Sequence, residues 1–448
     1  MRKKDLSLET IVTLAKSRGF VFPGSEIYGG LANSWDYGPI GVLLKNHLRD
    51  AWWNFFVEQR GDMFGIDAAI LMNPKVWEAS GHVKNFTDPM VECKHCHKRF
   101  RVDQEPFSNS TAPFADIPCP NCETKGQYTE PRQFNLLFET ELGSVVNEKQ
   151  KIYLRGELAQ AMFVDFKRVV DAMHPKLPFG IAQVGRVFRN EITPGNFTYR
   201  TLEFDLMEFE YFIREAEWEA SFEYWVAQMK QWFSRIGIPE DALRVREQAP
   251  DERAHYSKRT VDLEYETPFG WKELGAVAYR TDFDVKQHAE ASGLDLRYTD
   301  PHTQEKFFPH VIEPTVGLTR LLLFALLEAY DEEEVNGEKR VVLRLAPQIA
   351  PYQVAVLPLS KKDELTTIAK PLADQLRQRM STDYDETQSI GKRYRRQDEI
   401  GTPWCVTVDF ETRNDQAVTI RDRDSMQQER IPIAEVPKYL QDKMLAHS

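Results

Sequence analysis

The chain has 448 residues, 42% of them hydrophobic and 28% charged, so it can form two or three folded domains and is not a disordered protein. Its net charge of −12 excludes a protein that coats nucleic acid through its overall field, but leaves room for a local basic RNA site. No apolar run is long enough to cross a bilayer, and Asp5, Glu9 and Lys16 interrupt the apolar residues that a secretory signal would need, so we expect a cytoplasmic protein without membrane contact.

Two helices are predicted before residue 60. Residues 8–18 have helical apolar spacing and Gly19 suits a helix end. A second helix is predicted from Val42 through Phe56, and its apolar stripe consists of Leu44, Leu48, Trp52 and Phe55. By periodicity alone, this stripe is core.

Four of the five cysteines form two C-x-x-C pairs, Cys93 with Cys96 and Cys119 with Cys122. Five cysteines are too few for a disulfide scaffold of this length, whereas two such pairs can supply four thiolates to one tetrahedral zinc ion. A site with four sulfur ligands has no open position, so the role we expect is structural. Two alternatives remain: unrelated pairs of reduced thiols, or His95 or His97 in place of one cysteine.

The middle of the chain is predicted to be a sheet with packed helices. We predict a buried strand at residues 134–138, a helix that ends near Met173, and an amphipathic helix at residues 215–236. Further antiparallel strands are predicted at residues 254–257, 262–265 and 268–274. A strand, a glycine turn and Arg320 in the first turn of an apolar helix would direct a guanidinium group and free backbone donors at an anion.

Residues 187–212 predict a hairpin of two antiparallel strands, because two apolar-rich runs flank a loop at residues 192–196. The two-residue period places Phe204 and Glu208 on one face and Met207 and Phe209 on the other. On the first face, arginines can bind phosphate, acids can accept from an amino group, and an aromatic ring can stack on a base. Taken alone, the hairpin is more typical of a surface with alternating charges.

Beyond residue 340 strands alternate with helices, which predicts a small α/β domain with a mixed sheet. The strands are expected at residues 351–359, from 384 and at 404–410, with a helix at 362–380. Residues 331–338 are polar and are interpreted as a linker. Between the later strands, Lys392, Arg393, Arg395 and Arg396 surround Tyr394 and could hold an RNA backbone, although a solvated helix face is the ordinary interpretation.

These motifs resemble a known family. Phe188-Arg189-Asn190-Glu191, followed by Tyr199-Arg200-Thr201 and Glu203-Phe204, resembles motif 2 of the class II aminoacyl-tRNA synthetases. The loop at residues 192–197 (ITPGNF) is similar to that of the homodimeric glycyl type. Residues 309–320 resemble motif 3, and the helix from Val42 lies where motif 1 forms a dimer interface.

The resemblance implies an α+β fold: a class II antiparallel sheet with flanking helices at residues 1–87 and 129–335, a zinc-ribbon-like insertion at 88–128, and an anticodon-binding domain at 340–448. It also implies ATP, Mg²⁺ and structural Zn²⁺ as cofactors, and glycine and tRNA(Gly) as substrates. The implied reaction is AMP- and pyrophosphate-forming: glycine is activated to glycyl-adenylate and then transferred to the 3′ end of the tRNA.

The resemblance also implies roles for individual residues. Arg189, Glu191 and Arg320 are the expected catalytic residues. The expected ATP site consists of these three with Asn190, Tyr199, Arg200, Thr201, Glu203, Phe204, Glu273, Leu274, Gly317, Leu318 and Thr319; Glu203 and Glu273 would bind Mg²⁺. The expected glycine site consists of Arg101, Glu157, Phe204, Asp205, Leu206, Met207, Glu208, Arg280, Glu313, Thr315 and Gly317. Lys392, Arg393, Arg395 and Arg396 are expected to bind tRNA.

Several positions depart from the family pattern or leave a choice open. Arg101 fits the place of an arginine that precedes an acidic residue, here Asp103, better than Arg99 does. The departing residues are Gly156, Leu158, Ala161, Leu202 and Leu206, which affect the expected pocket shape and tRNA-end contacts more than the charge. Two other functions stay open: a catalytically inactive relative that binds RNA, and an adenylate-forming enzyme that charges another carrier.

Overall fold

The computed structural model describes residues 6–102, 106–108, 116–144, 149–191 and 195–446. Asp103 and the loop residues 192–194 therefore lie outside the described residues. None of the helices in the described ranges combines the length and apolar character that a membrane span requires.

The elements are numbered in chain order. The helices are α1 Leu8–Ser17, α2 Pro39–Trp53, α3 Pro74–Ala79, α4 His82–Asn85, α5 Ala159–Met173, α6 Trp218–Arg235, α7 Phe283–Ser292, α8 Leu318–Ala329, α9 Asp363–Arg377, α10 Ile390–Ile400, α11 Thr412–Asp415 and α12 Val436–Leu445. The strands are β1 Val21–Pro23, β2 Trp35–Tyr37, β3 Met63–Gly65, β4 Thr87–Glu92, β5 Arg99–Arg101, β6 Arg132–Asn135, β7 Glu139–Leu142, β8 Gln150–Tyr153, β9 Phe179–Phe188, β10 Glu203–Ile213, β11 Leu243–Glu247, β12 Arg259–Thr267, β13 Gly270–Thr281, β14 Tyr298–Thr299, β15 Lys306–Phe307, β16 His310–Gly317, β17 Tyr330–Val335, β18 Glu338–Leu343, β19 Val354–Pro358, β20 Thr382–Tyr384, β21 Trp404–Val408, β22 Ala417–Asp422 and β23 Gln428–Pro432.

A seven-stranded sheet, in the order β11-β12-β13-β16-β10-β9-β3, organises the N-terminal body. Its pairs are antiparallel except β3 with β9, and the predicted hairpin is the pair β9 and β10 with Glu203 opposite Phe188. Side chains alternate between the two faces of β10. Met207, Phe209 and Tyr211 pack in the core that also holds Trp225, and Leu206 and Phe212 pack in the core that also holds Phe163.

The helix after β2 begins earlier than predicted. It begins at Pro39, a residue whose fixed φ suits the first helical turn. Leu44, Leu48 and Trp52 are buried as expected, but the stripe continues through Phe56, while Phe55 is only partly buried. A π-helical turn at Asn54–Glu58 follows the α-helix.

Two other strand predictions are wrong. The strand expected at residues 134–138 ends at Asn135, because Asn135 Oδ1 accepts from the Leu137 backbone N–H at 2.8 Å and turns the chain. Leu136 and Leu137 are nevertheless buried. Residues 254–257 contain no strand; they form turns beside β12, which begins at Arg259.

The residues interpreted as a linker form a hairpin instead. β17 and β18 pair antiparallel with Tyr330 opposite Leu343 and Glu333 opposite Arg340. Asn336 and Gly337 both have positive φ, 53° and 78°, which is typical of a two-residue hairpin turn. The alternating acids that suggested a linker therefore form cross-strand ion pairs.

The C-terminal α/β domain confirms the predicted mixed sheet. Its order is β20-β19-β21-β22-β23, with β19 parallel to β20 and β21 and the remaining pairs antiparallel. The second strand spans Thr382–Tyr384 instead of beginning at Tyr384, and the third ends at Val408 instead of Phe410. Helix α9 packs its apolar face on this sheet through Leu365, Leu372 and Leu376.

A buried ion network connects the β17–β18 hairpin to this domain. The fully buried Arg340 donates to Asp398 of α10 at 2.8 Å and pairs with Glu333. Asp398 also accepts from Arg421 of β22 at 2.9 Å. Because an uncompensated buried charge is energetically costly, this network favours one fixed position of α10 against the hairpin.

Candidate active site

A cavity of about 300 Å³ opens on the face of the seven-stranded sheet that carries Leu206. β10, β13 and β16 supply its floor, and the segment at residues 248–256 supplies a wall. The residues around it are Glu157, Arg189, Phe204, Leu206, Glu208, Gln248, Glu252, Ala254, Tyr256, Thr260, Asp262, Glu273, Ala276, Ala278, Glu313, Thr315, Gly317 and Arg320. Seven residues of the sequence-predicted glycine and ATP sites, all on these three strands, thus share one cavity with three others from outside the strands, Glu157, Arg189 and Arg320.

One end of the cavity is rich in buried acids. Glu157, Glu208, Glu210, Asp284 and Glu313 are each at most 7% exposed. Glu208, Glu210 and Glu313 have carboxylate oxygens within 4.8 Å of one another. Because Glu208 faces Thr315 across the strand pair, Glu210 and Glu313 are neighbours on the same face of the sheet. We call Glu208, Glu210 and Glu313 the acid cluster.

Arg280 is the guanidinium that balances part of this charge, and it is fully buried. Its Nε and Nη2 donate to Asp284 at 2.8 and 2.9 Å, and its Nη1 donates to Glu313 at 2.9 Å. The Tyr256 ring lies 3.6 Å from its central carbon. The prediction that Arg280 binds the substrate carboxylate does not fit this geometry, because protein groups already engage its donors and one face.

Glu157 is held from two sides. His82 Nε2 lies 3.1 Å from Glu157 Oε2, and Gln160 Nε2 donates to Oε1 at 2.9 Å. Burial opposes ionisation, but His82, Arg280 and Gln160 together keep the pKa of Glu157 below its ordinary value. Glu157 is therefore an ionised acceptor at the acidic end of the cavity.

The acid cluster behaves in the opposite way. Burial, and then the charges of Glu313 and Glu157, raise the pKa of Glu208 well above its ordinary value. Burial and Glu313 likewise raise the pKa of Glu210, and burial raises that of Glu313 against the opposing effect of Arg280. Both Glu210 oxygens and Glu208 Oε1 have no hydrogen-bond partner. A cationic ligand group would relieve this excess of carboxylates.

The other end of the cavity is lined by arginines and rings. The Arg189 guanidinium lies 5.3 Å from the centre of the Phe204 ring, and its Nε donates to the Gly156 carbonyl at 3.1 Å. Arg320, in the first turn of α8, pairs with Glu273 at 3.1 Å and donates to the Tyr199 carbonyl at 3.2 Å. A smaller recess adjoins this end; its lining includes Glu191, Tyr199, Arg200, Thr201 and Thr319.

Glu273 and Asp262 provide oxygen donors beside these arginines. Burial opposes the charge of Glu273, but Arg320 keeps its pKa below the ordinary value. Burial and the nearby Glu273 raise the pKa of Asp262 to about 6. Glu203 is absent from this cavity lining; it pairs with Arg186 at 3.2 Å on the opposite face of the sheet.

Several predicted site residues lie with Glu203, away from the cavity. Asp205 pairs with Lys45, and Met207, Leu274 and Leu318 are buried in the core on the α2, α6 and α8 side. The reason is the two-residue period of a strand, which turns every second side chain to the far face. Asn190 contributes a backbone contact, since its N–H donates to the Leu136 carbonyl at 2.8 Å.

Arg101 lies at the mouth of the acidic end. It lines a recess together with His82, Glu157 and Arg189, and it pairs with Asp88 at 2.8 Å. Arg99 is directed elsewhere, because it pairs with Glu92 at 3.0 Å. The preference for Arg101 over Arg99 thus agrees with the position of the two side chains.

The five departing residues affect the cavity unequally. Leu206 lines it directly, whereas Leu158 and Ala161 are buried in the packing of α5. A Cβ on Gly156 would come within 3.0 Å of the Phe86 ring and 3.1 Å of Leu137. Phe86 and Leu137 thus occupy the space that a side chain at residue 156 would fill. The Leu202 N–H donates to the Asn33 carbonyl, and the Leu202 carbonyl accepts from the Arg189 N–H.

Sequence reasoning missed five residues of this region: His82, Glu210, Tyr256, Asp262 and Asp284. A signal existed for Glu210, which is two residues from Glu208 and so shares its face, and for Asp284, which is four residues from Arg280 across the start of α7. His82 reaches the site from the start of the four-residue helix α4 and Tyr256 from a turn, and neither segment is long enough for periodicity to offer a signal.

The four predicted cysteines come together away from the cavity. Cys93 and Cys122 Sγ are 3.8 Å apart, Cys96 and Cys119 Sγ are 3.6 Å apart, and all four sulfurs lie within 4.8 Å of one another. These separations exclude disulfides and match the edge of about 3.8 Å that a tetrahedron with Zn–S bonds of about 2.3 Å requires. His97 instead lies 3.2 Å from Glu92.

The four predicted RNA-binding cations on α10 differ in exposure. Lys392 is exposed, Arg395 lies 3.9 Å from Glu338, and Arg396 pairs with Asp385. Arg393 is buried, and its guanidinium donates to the carbonyls of Pro358, Leu359 and Asp385. Arg393 therefore holds α10 to its own domain instead of facing solvent.

Comparison with known proteins agrees with this architecture. Residues 138–330 match the family model of the tRNA synthetase class II core domain (G, H, P, S and T), and residues 353–443 match that of the anticodon binding domain. The chain is 52% identical over 458 aligned residues to a glycine–tRNA ligase of Alkaliphilus oremlandii, covering 98% of each chain. It is 51% identical to that of Lysinibacillus sphaericus, covering 97% of this chain and 98% of the relative, and 48% identical to that of Thermobifida fusca, covering 99% of each.

Sequence identity of about one half, over almost the full length of this chain and of each relative, shows to which family the chain belongs. The chain belongs to the glycine–tRNA ligases, enzymes of the class II aminoacyl-tRNA synthetase family.

Proposed function

We propose that the acidic end of the cavity binds the ammonium group of glycine and that the arginine-lined end binds ATP. The observation that carries this proposal is the shared cavity, in which Glu157, Glu208 and Glu313 lie at one end and Arg189 and Arg320 at the other. An amino acid has a cationic and an anionic end, and a cavity with acids on one side and phosphate-binding arginines on the other orients it toward the nucleotide.

In the proposed first step, a glycine carboxylate oxygen attacks the α-phosphorus of ATP, and pyrophosphate leaves. Arg189 contacts the α-phosphate and, with Arg101, receives the glycine carboxylate; Arg320 contacts the γ-phosphate. Phe204 stacks on adenine, and Glu191 accepts from its amino group. In the second step, a terminal ribose hydroxyl of tRNA(Gly) attacks the glycyl carbonyl and AMP leaves. Neither step uses a protein nucleophile, so positioning and charge stabilisation provide the catalysis.

Class II synthetases use ATP with Mg²⁺, and we assign the protein ligands for that ion to Glu273 and Asp262. Both carboxylates line the cavity beside Arg320, and oxygen ligands suit this hard cation. When bound together with ATP, Mg²⁺ would neutralise part of the negative charge of the phosphates. Glu203 is not included because it pairs with Arg186 on the opposite face.

We propose the domain limits 1–87 and 129–335 for the catalytic core, 88–128 for a structural zinc insertion and 340–448 for the anticodon-binding domain. The β17–β18 hairpin crosses the interval between 335 and 340 and changes these limits: the whole hairpin is assigned to the core, so that the core ends at Leu343 and the anticodon-binding domain begins at residue 344. Lys392, Arg395 and Arg396 are the proposed RNA contacts, with Arg393 left out because it is buried. Because charged tRNA is consumed in translation, we place the enzyme in the cytoplasm.

We also propose that the chain is a homodimer of the glycyl type. The turn between β1 and β2 exposes apolar side chains: Ile27 is 89%, Tyr28 88% and Leu31 62% exposed. Large apolar side chains grouped in one short segment favour an interface with another chain. A second copy is the proposed occupant, because the family resemblance places the dimer interface next to this turn, at α2.

The Arg189→Ala variant should lose glycyl-adenylate formation by roughly 100-fold or more, because the α-phosphate loses its charge-assisted donors. ATP–pyrophosphate exchange measures this loss. The matched control is Arg168→Ala, an arginine of α5 whose side chain is 87% exposed, which should exchange like the parent. Activity of Arg189→Ala within about two-fold of the control would remove Arg189 from the mechanism.

Thr315 should exclude alanine, because it lines the cavity opposite Glu208 and fills space next to the expected α-carbon. Thr315→Gly should raise the kcat/KM ratio of alanine to glycine about ten-fold, the value of one methyl group in a small pocket. Thr315→Val keeps the volume and is the control. An unchanged ratio in a folded Thr315→Gly protein would contradict this wall.

The full-length protein should contain about one zinc ion per chain, because four thiolates complete one tetrahedral site. Elemental analysis of Cys119→Ser should show most of this zinc lost, whereas Cys405→Ser, a buried thiol of the C-terminal domain, should retain it. Equal zinc content in both variants, or no zinc in the parent protein, would argue against the site.

Sedimentation should give a particle of twice the 52.0 kDa chain mass. Ile27→Asp with Tyr28→Asp should shift it toward the monomer, since buried unpaired charges oppose association. Leu294→Asp, which changes a side chain that is 65% exposed outside this turn, is the control. A monomeric parent protein at working concentration would rule out the homodimer.

A further inference from the structure

The acidic end of the cavity has more buried carboxyl groups than the cations at that end can balance. Arg280 forms ion pairs with Glu157, Asp284 and Glu313, at 3.7, 2.8 and 2.9 Å. Glu208 and Glu210 have no such pair among the described residues. Two neighbouring carboxyl groups at low dielectric cannot both be charged without a cation, so at least one of them holds a proton.

Glu210 holds one proton, and Glu208 and Glu313 are the pair that can share a second, because burial and the neighbouring carboxylates raise the pKa of Glu208 as well as that of Glu210. Their carboxylate oxygens lie within 4.8 Å of each other, and both residues line the cavity where an ammonium group is proposed to bind. Glu210 lies behind them, fully buried and outside the cavity lining, so a ligand in the cavity does not touch it. Of the acid cluster, then, Glu208 and Glu313 meet the ligand and Glu210 does not.

The surroundings of this pair are mostly fixed. Arg280 and Tyr256 face it from β13 and the 248–256 segment, Glu157 and Arg155 from the segment before α5, and Asp284 from α7. Gln183, the β9 neighbour of Glu208, is uncharged, and His82 contacts Glu157. Arg155 is committed to the carbonyls of Arg186 and Ala68 at 2.7 and 2.8 Å. The ligand ammonium is therefore the cation that can replace the shared proton.

We propose that glycine binding is an exchange of cations, in which the substrate ammonium displaces a proton shared by Glu208 and Glu313. The inference rests on the proposed glycine site. The O–H bond of the Glu208 carboxyl group breaks, the proton leaves to solvent, and the ammonium donates to the two carboxylates that remain. Glu210 stays protonated throughout. Since binding releases a proton, glycine affinity rises with pH for as long as the pair of the empty cavity remains protonated and glycine remains an ammonium ion.

Isothermal titration calorimetry tests the exchange directly, because the binding heat varies with the ionisation enthalpy of the buffer in proportion to the protons released. The ligand is glycylsulfamoyl adenosine, a stable analogue of glycyl-adenylate. The matched ligand is acetylsulfamoyl adenosine, which lacks only the amino group. Titrations of the full-length protein near pH 6.5, where the amine is charged, in three buffers should show release of about one proton with the glycyl ligand and none with the acetyl ligand.

Two variants assign the proton. Glu208→Gln cannot release it and should bind the glycyl ligand about ten- to a hundred-fold more weakly, with no buffer dependence and unchanged affinity for the acetyl ligand. Glu210→Gln replaces a neutral acid by a neutral amide and should release a proton as the parent does. Unchanged binding of the acetyl ligand also shows that each variant is folded.

The outcomes separate the two levels of the proposal. Equal affinity of the parent protein for the glycyl and acetyl ligands would overturn the glycine site itself. Tighter binding of the glycyl ligand with no buffer-dependent heat would keep the site and overturn the exchange. Proton release that is lost in Glu210→Gln but kept in Glu208→Gln would overturn the assignment to the Glu208–Glu313 pair.

Discussion

The buried guanidinium of Arg280 is the interaction on which the active site depends. It joins β13, α7 and β16 through Asp284 and Glu313, and it stacks on Tyr256. Because it is fully buried, its desolvation is repaid only while these acids stay in place. Arg280 thus fixes the positions of the acids, while its single charge leaves them in excess. That excess is the reason for the proposal that the cavity binds an ammonium group, the one cation that glycine offers.

The two-residue period of the strands decides which side chains face the cavity and which face the opposite side of the sheet. On β10, Phe204, Leu206, Glu208 and Glu210 share the cavity face, and Glu203, Asp205 and Met207 share the opposite face. β16, the antiparallel partner of β10, adds Glu313 and Thr315, and β13, the next strand beyond β16, adds Glu273. Arg320 follows in the first turn of α8, so it reaches the nucleotide end from a helix that is buried in the core. Both ends of the site are thus set by one sheet.

Glycine specificity then has a simple physical form. Glycine has no side chain to hold, so in the proposed site the acids bind its ammonium group and the occupied volume around its α-carbon excludes larger amino acids. Excluding a larger group by overlap is easier than rejecting a smaller one, which is consistent with selection in this one cavity.

Patterns of short range predicted most of this architecture. The hairpin, the α8 turn, the paired cysteines and the alternating C-terminal elements each depend on local periodicity or spacing, and each is present. The same two-residue period would have turned Glu203, Asp205 and Met207 away from the site, had it been applied to the residues taken from the family pattern. It would also have identified Glu210. His82, at the start of the short helix α4, and Tyr256, in a turn, were beyond such reasoning because tertiary folding alone brings these segments to the cavity. The Asn336-Gly337 turn was missed because it lies among acidic residues that are typical of a linker.

The most direct test of this account is ATP–pyrophosphate exchange on the purified protein without tRNA, with glycine, alanine or serine as the amino acid. The account predicts exchange with glycine alone, because the acids bind the ammonium while Thr315 and its neighbours leave no room for a side chain. Exchange with none of the three, or equal exchange with alanine, would contradict it.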